Sequence, residues 1–329
     1  KCCIIILWSK MERGIYMIKI YDTDVETNKT VEIDEIKKGC WINMVSPTDT
    51  EIKKVCKSVK IEEDFIRYSL DYEEKARIDI EDEDNTILFI IDVPILDKEN
   101  NETIHTTLPL GIIVVRDDYF ITVSLKQTRV ISDLKQNSIV TYKKSRSILQ
   151  IFYKNSELFL RELKKINKEK EVAEKELNTS MRNKELLKML NIEKSLVYFT
   201  TSLKSNELVM EKTMKGRIIK LYEEDEDILE DAIIENKQAI EMAKTYSDIL
   251  SGTMDTYASI ISNNLNIVMK FLTLVTIVLA IPTLLFSMWG MNVELPFQHN
   301  PYGFLWILGI TIVITLIVIW WFKKKDMLD

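Results

Sequence analysis

Histidine and cysteine are scarce in this sequence, and their scarcity excludes several kinds of metal site. The 329 residues include two histidines, His105 and His299, and four cysteines, Cys2, Cys3, Cys40 and Cys56. The cysteines form no CxxC pair, so their spacing builds neither a zinc finger nor a histidine-ligated metal site. We expect all four to be reduced thiols, which fits a body that faces a reducing compartment.

Nucleotide-binding motifs are also missing. No GxxxxGK[ST] sequence occurs anywhere in the chain, and no nucleophile stands in a recognisable pattern with a base. A phosphate-binding loop needs such a glycine-rich segment to bring backbone N–H groups close to the phosphates. We therefore predict that the protein is not an enzyme, uses no nucleotide and has no nucleic-acid partner.

Charge is absent from two stretches near the C-terminus, although 29% of the whole chain is charged. They run from Phe271 to Trp289 and from Phe304 to Phe322, 19 residues each. A helix of that length spans about 28 Å, close to the ~30 Å hydrocarbon core of a bilayer. The mean hydropathy of −0.04 therefore averages an apolar hairpin and a highly charged body. The sequence predicts a membrane protein with a C-terminal two-helix transmembrane hairpin.

Lysine placement predicts how this hairpin is oriented. Lys270 precedes the first span (about 271–289), and Lys323, Lys324 and Lys325 follow the second span (304–322) in a basic tail, 323–329. The connecting loop, 290–303, contains no lysine or arginine. Because cytoplasmic flanks carry the excess of basic residues, we expect both termini in the cytoplasm and a multi-pass protein of the cell (inner) membrane.

The first half of the chain predicts an α/β cytoplasmic domain over 17–145. Segments rich in β-branched and aromatic residues are predicted as strands: Ile18–Tyr21, Thr30–Ile33, Trp41–Met44, Ile87–Val93, Gly111–Val115 and Tyr119–Leu125. A helix is predicted to open at Ser46-Pro47-Thr48, with Pro47 in its first turn, and a second one to cover Glu62–Leu70. Residues 1–16 are expected to be a non-native or disordered extension, with Met11 or Met17 as the natural start.

Proline is absent between Pro109 and Pro282, which predicts long helices. We expect a cytoplasmic helical hairpin over 146–222, with breaks near Asn178–Asn183 and near Gly216. A stalk helix is then expected over 223–289, continuing into the first span. It would be about 100 Å long and would need neighbouring helices to cover its apolar stripe.

Charge is segregated along these helices. Residues 161–220 carry a net charge of +6, and residues 221–265 carry −9, with the densest acidic cluster over 223–231. Two interpretations remain open. The acids form a solvated face that pairs with the basic helices, or they attract divalent cations, which prefer carboxylate oxygens.

Polar and small residues follow one face of the first span. They are Asn266, Thr273, Thr276, Ala280, Thr283 and Ser287, separated by steps of 7, 3, 4, 3 and 4. Polar groups are costly in hydrocarbon, so this stripe either packs against another helix or lines a water path. A two-helix hairpin cannot enclose water, so a pore requires a ring of copies. The second span, with fewer polar residues, suits a lipid-facing position.

The tripeptide Gly290-Met291-Asn292, at the outer end of the first of two C-terminal spans, resembles the signature of the CorA family of magnesium channels. The resemblance extends to Ser262-Asn263, to Pro282, to the terminal lysines and to Leu70-Asp71-Tyr72-Glu73-Glu74. It covers nearly the whole chain from Met17.

The resemblance implies a funnel-shaped homopentamer that binds divalent cations and passes hydrated Mg²⁺. Gly290, Met291 and Asn292 would form the selectivity filter, with the Asn292 amides and Gly290 carbonyls binding the hydrated ion. The implied pore-lining residues are Asn266, Met269, Leu272, Thr273, Thr276, Ala280, Thr283 and Ser287. Met269 and Leu272 would form a hydrophobic constriction, and the three terminal lysines would form a basic ring.

Regulation by intracellular magnesium is a further implication of the resemblance, and here the sequence departs from the family. Asp231 matches the acid on the stalk helix. The facing position aligns with Tyr68, which is not an acid, and the nearest carboxylates are Asp64 and Asp71. Asp231 and Asp71 are therefore the expected members of a regulatory magnesium site.

Two other functions remain open. The same scaffold serves zinc, cobalt or nickel transport, for which His299 is an available soft ligand, whereas Met291 between Gly290 and Asn292 favours magnesium. The other alternative is a non-transporting sensor anchored by the hairpin. The polar stripe argues against an anchor, since an anchor has no reason to align hydroxyl groups on one face.

Overall fold

The computed structural model describes residues 17–27, 29–99, 102–135, 139–179, 183–216, 218–291 and 302–324. The expectation for residues 1–16, including Cys2 and Cys3, lies outside these ranges. The chain divides into two compact units, one up to Leu250 and one from Ser251 onward. Each unit is described by itself.

The first unit contains a seven-stranded sheet. Its strands are β1 (Met17–Thr23), β2 (Thr30–Ile33), β3 (Trp41–Val45), β4 (Arg77–Glu81), β5 (Thr86–Glu99), β6 (Glu102–Val115) and β7 (Tyr119–Ser124). They lie in the order β2-β1-β3-β7-β6-β5-β4. The β3–β7 pair is parallel, with Trp41 opposite Phe120, and the other pairs are antiparallel. The α/β class predicted for this region is confirmed.

Helices cover both faces of this sheet. The short ones are α1 (Asp49–Val59), α2 (Glu63–Arg67), continued by a tight turn over Tyr68–Leu70, and α3 (Arg129–Lys135). The long ones are α4 (Lys144–Thr179), α5 (Asn183–Gly216), α6 (Glu223–Trp289) and α7 (Gly303–Lys324). The breaks expected near Asn178–Asn183 and Gly216 are present, and α6 begins at Glu223 as predicted.

Alternation along the strands produces two apolar cores, because successive side chains point to opposite faces of a sheet. Trp41 and Phe120 lie in the core shared with the long helices. Their neighbours Ile42 and Ile121 lie in the core shared with α1 and α2. The helices α4 and α5 and the beginning of α6 thus form one compact unit with the sheet, and the change expected at residue 145 is one of secondary structure.

The N-terminus of α1 lies slightly later than predicted. Thr48 is the N-cap: its side chain accepts from the backbone N–H of Glu51, and the Glu51 carboxylate accepts from the backbone N–H of Thr48. This reciprocal capping box satisfies two N–H groups that the first turn leaves unpaired. Pro47 therefore precedes the cap, and its predicted place in the first turn is wrong.

Cys40 and Cys56 are buried free thiols, as predicted. Burial raises the pKa of both, that of Cys56 to about 11. A thiol needs its thiolate form to bind metal or react, so these two side chains serve packing.

The second unit consists of the C-terminal part of α6 together with α7. Both α6 and α7 contain a segment long and apolar enough to cross a membrane. Pro282 lies inside α6 without ending it. Proline inside a spanning helix is tolerated because neighbouring groups satisfy the backbone carbonyl that it leaves without a donor.

Candidate functional site

The predicted pore-lining residues share one exposed face of α6. Each of the following is exposed: Asn266, Met269, Leu272, Thr273, Thr276, Ala280, Thr283 and Ser287. At 3.6 residues per turn they form a continuous stripe along the helix. The stripe is therefore not covered by the described residues of this chain.

The nearly opposite face of α6 is covered. Leu274 is buried, and Val278, Ile281 and Leu285 are half-buried, in steps of 4, 3 and 4. Nearby, the ring of Phe286 stacks on that of Phe304 in α7, with 6.5 Å between centroids. The contact between the two helices of the hairpin thus uses the apolar face of α6 and leaves the polar stripe free for other partners.

The second apolar helix, α7, also has one covered face, formed by Gly303, Ile307, Thr311 and Phe322. Its exposed residues are almost all large and apolar, among them Leu305, Ile310, Val313 and Leu316. This distribution fits contact with lipid and agrees with the outer position expected for the second span.

The threonine hydroxyls of the stripe donate hydrogen bonds to their own helix. Thr273 donates to the carbonyl of Met269, Thr276 to that of Leu272, and Thr283 to that of Leu279, each at 2.8 Å. A hydroxyl oxygen whose hydrogen is used in this way keeps its lone pairs as acceptors. The stripe therefore presents acceptor oxygens, which suit a cation or the water molecules around it.

Helix α6 ends at the predicted filter. The Gly290 N–H donates to the carbonyl of Phe286 at 3.0 Å, and the Met291 N–H to that of Met288 at 3.3 Å. Asn292, the remaining filter residue, lies outside the described residues, as does His299. The structure thus describes the approach to the filter, and the role of Asn292 stays a prediction.

The predicted basic ring lies at the other end of α7. Lys323 and Lys324 are exposed, and the Lys324 ammonium lies 5.3 Å from the centre of the Trp320 ring. Such a cation–π contact is typical of the membrane–water interface, where tryptophan and lysine meet. Lys325 lies outside the described residues.

The acidic cluster at the start of α6 is mostly solvated. Glu224 pairs with Arg146, with 3.1 Å between Oε2 and Nη1. Over the described ranges, the other carboxylates of residues 223–231 have no ion-pair partner, and no three His, Cys, Asp or Glu side chains converge in a metal-binding geometry. Among the described residues, pairing of this cluster with the basic helices, one of the two interpretations, is therefore limited to the Glu224–Arg146 ion pair.

The expected regulatory residues lie apart from any metal-binding cluster. Asp231 is exposed, and Asp71 Oδ1 accepts the Glu73 backbone N–H at 3.0 Å. The guanidinium of Arg77 lies 5.0 Å from the centre of the Tyr68 ring. Arg77 also binds Asp79, with 2.7 Å between Nε and Oδ2. Glu74 is a second carboxylate partner of Arg77, so the guanidinium charge is balanced, and Tyr68 contacts it in place of the metal-binding acid that the resemblance implies.

Two buried polar groups were not predicted from the sequence. Asp92, in β5, lies beneath α4 and α5, and burial raises its pKa to about 6. Its backbone accepts hydrogen bonds from the Asn155 and Asn206 amides at 2.8 Å. His105, in β6, lies between two glutamates of α4. Neither residue carried a sequence signal, because their partners are at least 57 positions away in the chain.

Comparison with known proteins gives a consistent result. The sequence matches the family described as CorA-like Mg²⁺ transporter protein over residues 37–324. It is 28% identical over 308 residues to a cobalt/magnesium transport protein CorA from Methanocaldococcus jannaschii, covering 89% of this chain and 94% of that protein.

Solved structures agree with this match. The complete structure of the CorA magnesium transporter from Methanocaldococcus jannaschii is similar with a TM-score of 0.81 and 27% identity, covering 95% of this chain and 99% of that one. The ZntB cytoplasmic domain from Vibrio parahaemolyticus is similar with a TM-score of 0.58 at 13% identity, covering 75% of this chain and 99% of that one. At that identity the second likeness concerns the fold alone.

Proposed function

This chain belongs to the family of CorA-like Mg²⁺ transporter proteins, and from that premise we propose that it passes Mg²⁺ passively across the cell membrane as a homopentamer. Membrane localisation follows from the family and the two apolar helices. Passive Mg²⁺ passage, five copies and cytoplasmic termini are the proposal.

The observation that carries the proposal is the uncovered polar stripe of α6. A face with three threonines, a serine and an asparagine is costly against lipid, and α7 does not cover it. A ring of copies would bring five such stripes together around water, with α7 outside. Since large apolar side chains dominate the exposed face of α7, that arrangement leaves the apolar surface to the lipid.

The chemistry of the stripe and the filter fits a hydrated divalent cation. Mg²⁺ gives up its water reluctantly, so a pore for it has to bind the hydration shell. Threonine hydroxyls whose hydrogens already bond to helix carbonyls would accept hydrogen bonds from that shell through their oxygens. The Gly290 carbonyls and Asn292 amides would do the same at the outer mouth. Neutral oxygens select by size and geometry, whereas an acidic ring attracts any cation.

Met269 and Leu272 supply the proposed gate. Both are exposed on the stripe, at 54% and 56% of their surface. A ring of such apolar side chains blocks hydrated ions by excluding water. Asn266, one turn toward the cytoplasm, would give a polar ring beside it.

Liposome uptake tests the function directly. The purified chain is placed in liposomes that enclose a magnesium-sensitive dye, and Mg²⁺ is added outside. We expect rapid uptake, which Asn292→Ala strongly reduces and which Thr315→Ala, on the other helix, leaves unchanged. Absence of uptake, or uptake indifferent to Asn292→Ala, would contradict the channel and favour a membrane-anchored sensor.

Ion preference needs a competition experiment. The relative from Methanocaldococcus jannaschii is a cobalt/magnesium transport protein, so Co²⁺ is the proposed second cargo, with Ni²⁺ and Zn²⁺ as further competitors. We expect Mg²⁺ to compete with Co²⁺ for one path. Uptake of Zn²⁺ that Mg²⁺ cannot inhibit would favour the zinc alternative.

The proposal includes a regulatory magnesium site between copies. It would use Asp231 of one copy with Asp71 of the next, near the Tyr68–Arg77 pair. We expect Asp231→Ala to reduce the inhibition of current by Mg²⁺ on the cytoplasmic side. An unchanged inhibition curve, measured beside Asp227→Ala as a control, would remove Asp231 from the site.

A further inference from the structure

The first unit contains a cavity of about 550 Å³ that the transport proposal does not use. It lies between the beginning of β6 and the helices α4 and α5, and its volume falls in the range of small-molecule sites. His105 lies on its inner side, and exposed lysines of both helices lie around it. Every lining residue belongs to the first unit, so the cavity exists within a single chain.

His105 is the inner polar group of the cavity. It is 3% exposed, and its Nε2 lies 3.3 Å from Glu169 Oε1. Its Nδ1 lies 3.6 Å from Glu162 Oε2, and neither of these two buried atoms has a hydrogen-bond partner. Glu162 is fixed through its other oxygen by Arg129 and Lys165, whereas the side chain of Glu169 is 53% exposed. The exposed carboxylate of Glu169 can therefore be replaced by another acceptor beside the buried imidazole of His105.

Two of the lysines that line the cavity are not neutralised by an ion pair within the described part of the chain. Lys188 binds both Glu176 and Glu185, with its Nζ at 2.6 and 2.7 Å from the two Oε2 atoms, and Glu169 faces His105. Lys168 and Lys184 also line the cavity and have no ion-pair partner among the described residues. Two lysines at the rim attract an anion to a site of mixed polar and apolar character.

Apolar side chains form the remaining wall. Val172, Ala173 and Ile192 line the cavity, and Val172 is 56% exposed although it is apolar. An exposed valine next to a concave surface loses unfavourable contact with water when an apolar group covers it. The site thus offers a surface for an apolar body beside donors for an anionic head.

We propose that this cavity binds a small organic carboxylate with an apolar body. The carboxylate of the ligand takes the place of Glu169 as the acceptor of the His105 Nε2–H, so one carboxylate replaces another. Lys168 and Lys184 balance its charge, and the apolar body packs on Val172, Ala173 and Ile192. The proposal does not depend on the transport function, since binding is measured without flux.

Equilibrium dialysis of the full-length protein in lipid nanodiscs tests the site, with radiolabelled 3-phenylpropanoate as a water-soluble probe and empty nanodiscs as the blank. We expect saturable binding that the double variant Lys168→Gln/Lys184→Gln weakens by roughly three- to tenfold, the loss of two exposed charge contacts. Lys164→Gln, an exposed position on the same helix outside the cavity, is the matched control and should bind normally. Val172→Trp fills the mouth from an exposed position and should abolish binding.

Three results would overturn the proposal. The first is binding that does not saturate above the blank. The second is equal binding of 3-phenylpropanamide, which would show that the carboxylate is not recognised. The third is binding by the double lysine variant or by Val172→Trp that matches the unmodified chain. Because the deciding substitutions are all at exposed positions, none of these results depends on altering the buried His105.

Discussion

Asp92 is a carboxylate that the fold buries between the sheet and two long helices, and its burial has a measurable cost. Its pKa is raised from 3.8 to about 6, while its side chain bonds to Ser202. In the unfolded chain the group ionises near pH 4, so between pH 4 and pH 6 the folded state retains a proton that the unfolded state has lost. The stability that the neutral acid contributes is therefore present below pH 4 and is lost as the pH rises through 6.

Asp92→Asn removes this titration, and we expect it to change how stability depends on pH. The free energy of unfolding of the unmodified chain relative to Asp92→Asn should fall by about 2 kcal/mol between pH 4 and pH 7, since one pKa unit corresponds to about 1.4 kcal/mol and the unfolded carboxyl is already more than half ionised at pH 4. Other carboxylates titrate equally in both proteins and cancel in the difference. The measurement is thermal unfolding of both across this pH range, and a difference independent of pH would contradict a raised pKa.

Single residues show where sequence reasoning succeeds and where it ends. The stripe of α6 was predictable because a helical period relates its members without any tertiary contact. The pairing of Tyr68 with Arg77 was not, because it depends on the turn after α2 lying beside β4. The same holds for Gly111, where a Cβ would lie 1.8 Å from the buried Ser69 Oγ. No local sequence pattern predicts such a close approach of two segments.

Secondary-structure elements likewise differ in how well the local sequence predicts them. The long helices were predictable to within a few residues, because proline-free periodic sequence leaves few alternatives. Strands β5 and β6 are longer than predicted, since the segments recognised by their β-branched and aromatic residues were only Ile87–Val93 and Gly111–Val115, and a proline lies near the boundary of each. The pairing of β5 with β4 stops at the Arg77–Ile90 pair, so Pro94 has no β4 residue opposite it. The pairing of β6 with β7 stops at the Leu110–Ser124 pair, so Pro109 has no β7 residue opposite it. A missing N–H costs nothing where no neighbouring strand requires it.

Two elements were missed altogether, β4 and α3. The sequence of β4, Arg-Ile-Asp-Ile-Glu, alternates as a strand does, but its charges lower its apparent strand propensity. The charges are suitable because β4 is an edge strand, where charged side chains prevent pairing with other chains. The α3 helix has only seven residues and no predicted cap. The edge position that suits β4 and the packing that stabilises α3 are properties of the assembled sheet, so the local sequence does not reveal them.

The polar stripe of α6 and the exposed face of α7 predict opposite responses to bulk. Ala280 lies on the uncovered polar stripe, so Ala280→Trp places five indoles in the proposed pore and should abolish Mg²⁺ uptake without loss of folded, oligomeric protein. Ile310 lies on the exposed face of α7, where a tryptophan meets lipid, so Ile310→Trp should transport normally. Liposome uptake and size-exclusion chromatography are measured on both. Normal transport by Ala280→Trp would show that the stripe does not line the path.

At the scale of the whole molecule, negative charge is concentrated on one side of the proposed ion path. Residues 221–265, most of which lie in the first two-thirds of α6, carry a net charge of −9 against −7 for the whole chain, and the uncharged stretches 271–289 and 304–322 carry none. Since the acidic cluster of this helix is largely unpaired among the residues that the structure describes, a ring of copies would surround the proposed cytoplasmic approach with negative potential. Mg²⁺ would be concentrated there without a fixed binding cluster, which reconciles the two interpretations of the acidic segment.

The absence of a nucleotide motif makes the membrane potential the proposed driving force, and this leads to a quantitative prediction. A unit charge gains about 2.3 kcal/mol per 100 mV, so Mg²⁺ gains about 4.6 kcal/mol, equivalent to roughly a thousandfold accumulation at equilibrium. In liposomes with a potassium gradient and valinomycin, uptake should increase when the interior is negative and fall when the gradient is reversed. The same vesicles with a pH gradient and no potential are the control. Uptake that follows the pH gradient and does not respond to the potential would mean that transport is coupled to protons. The path would then need a group that carries protons, which the threonines of the stripe do not supply.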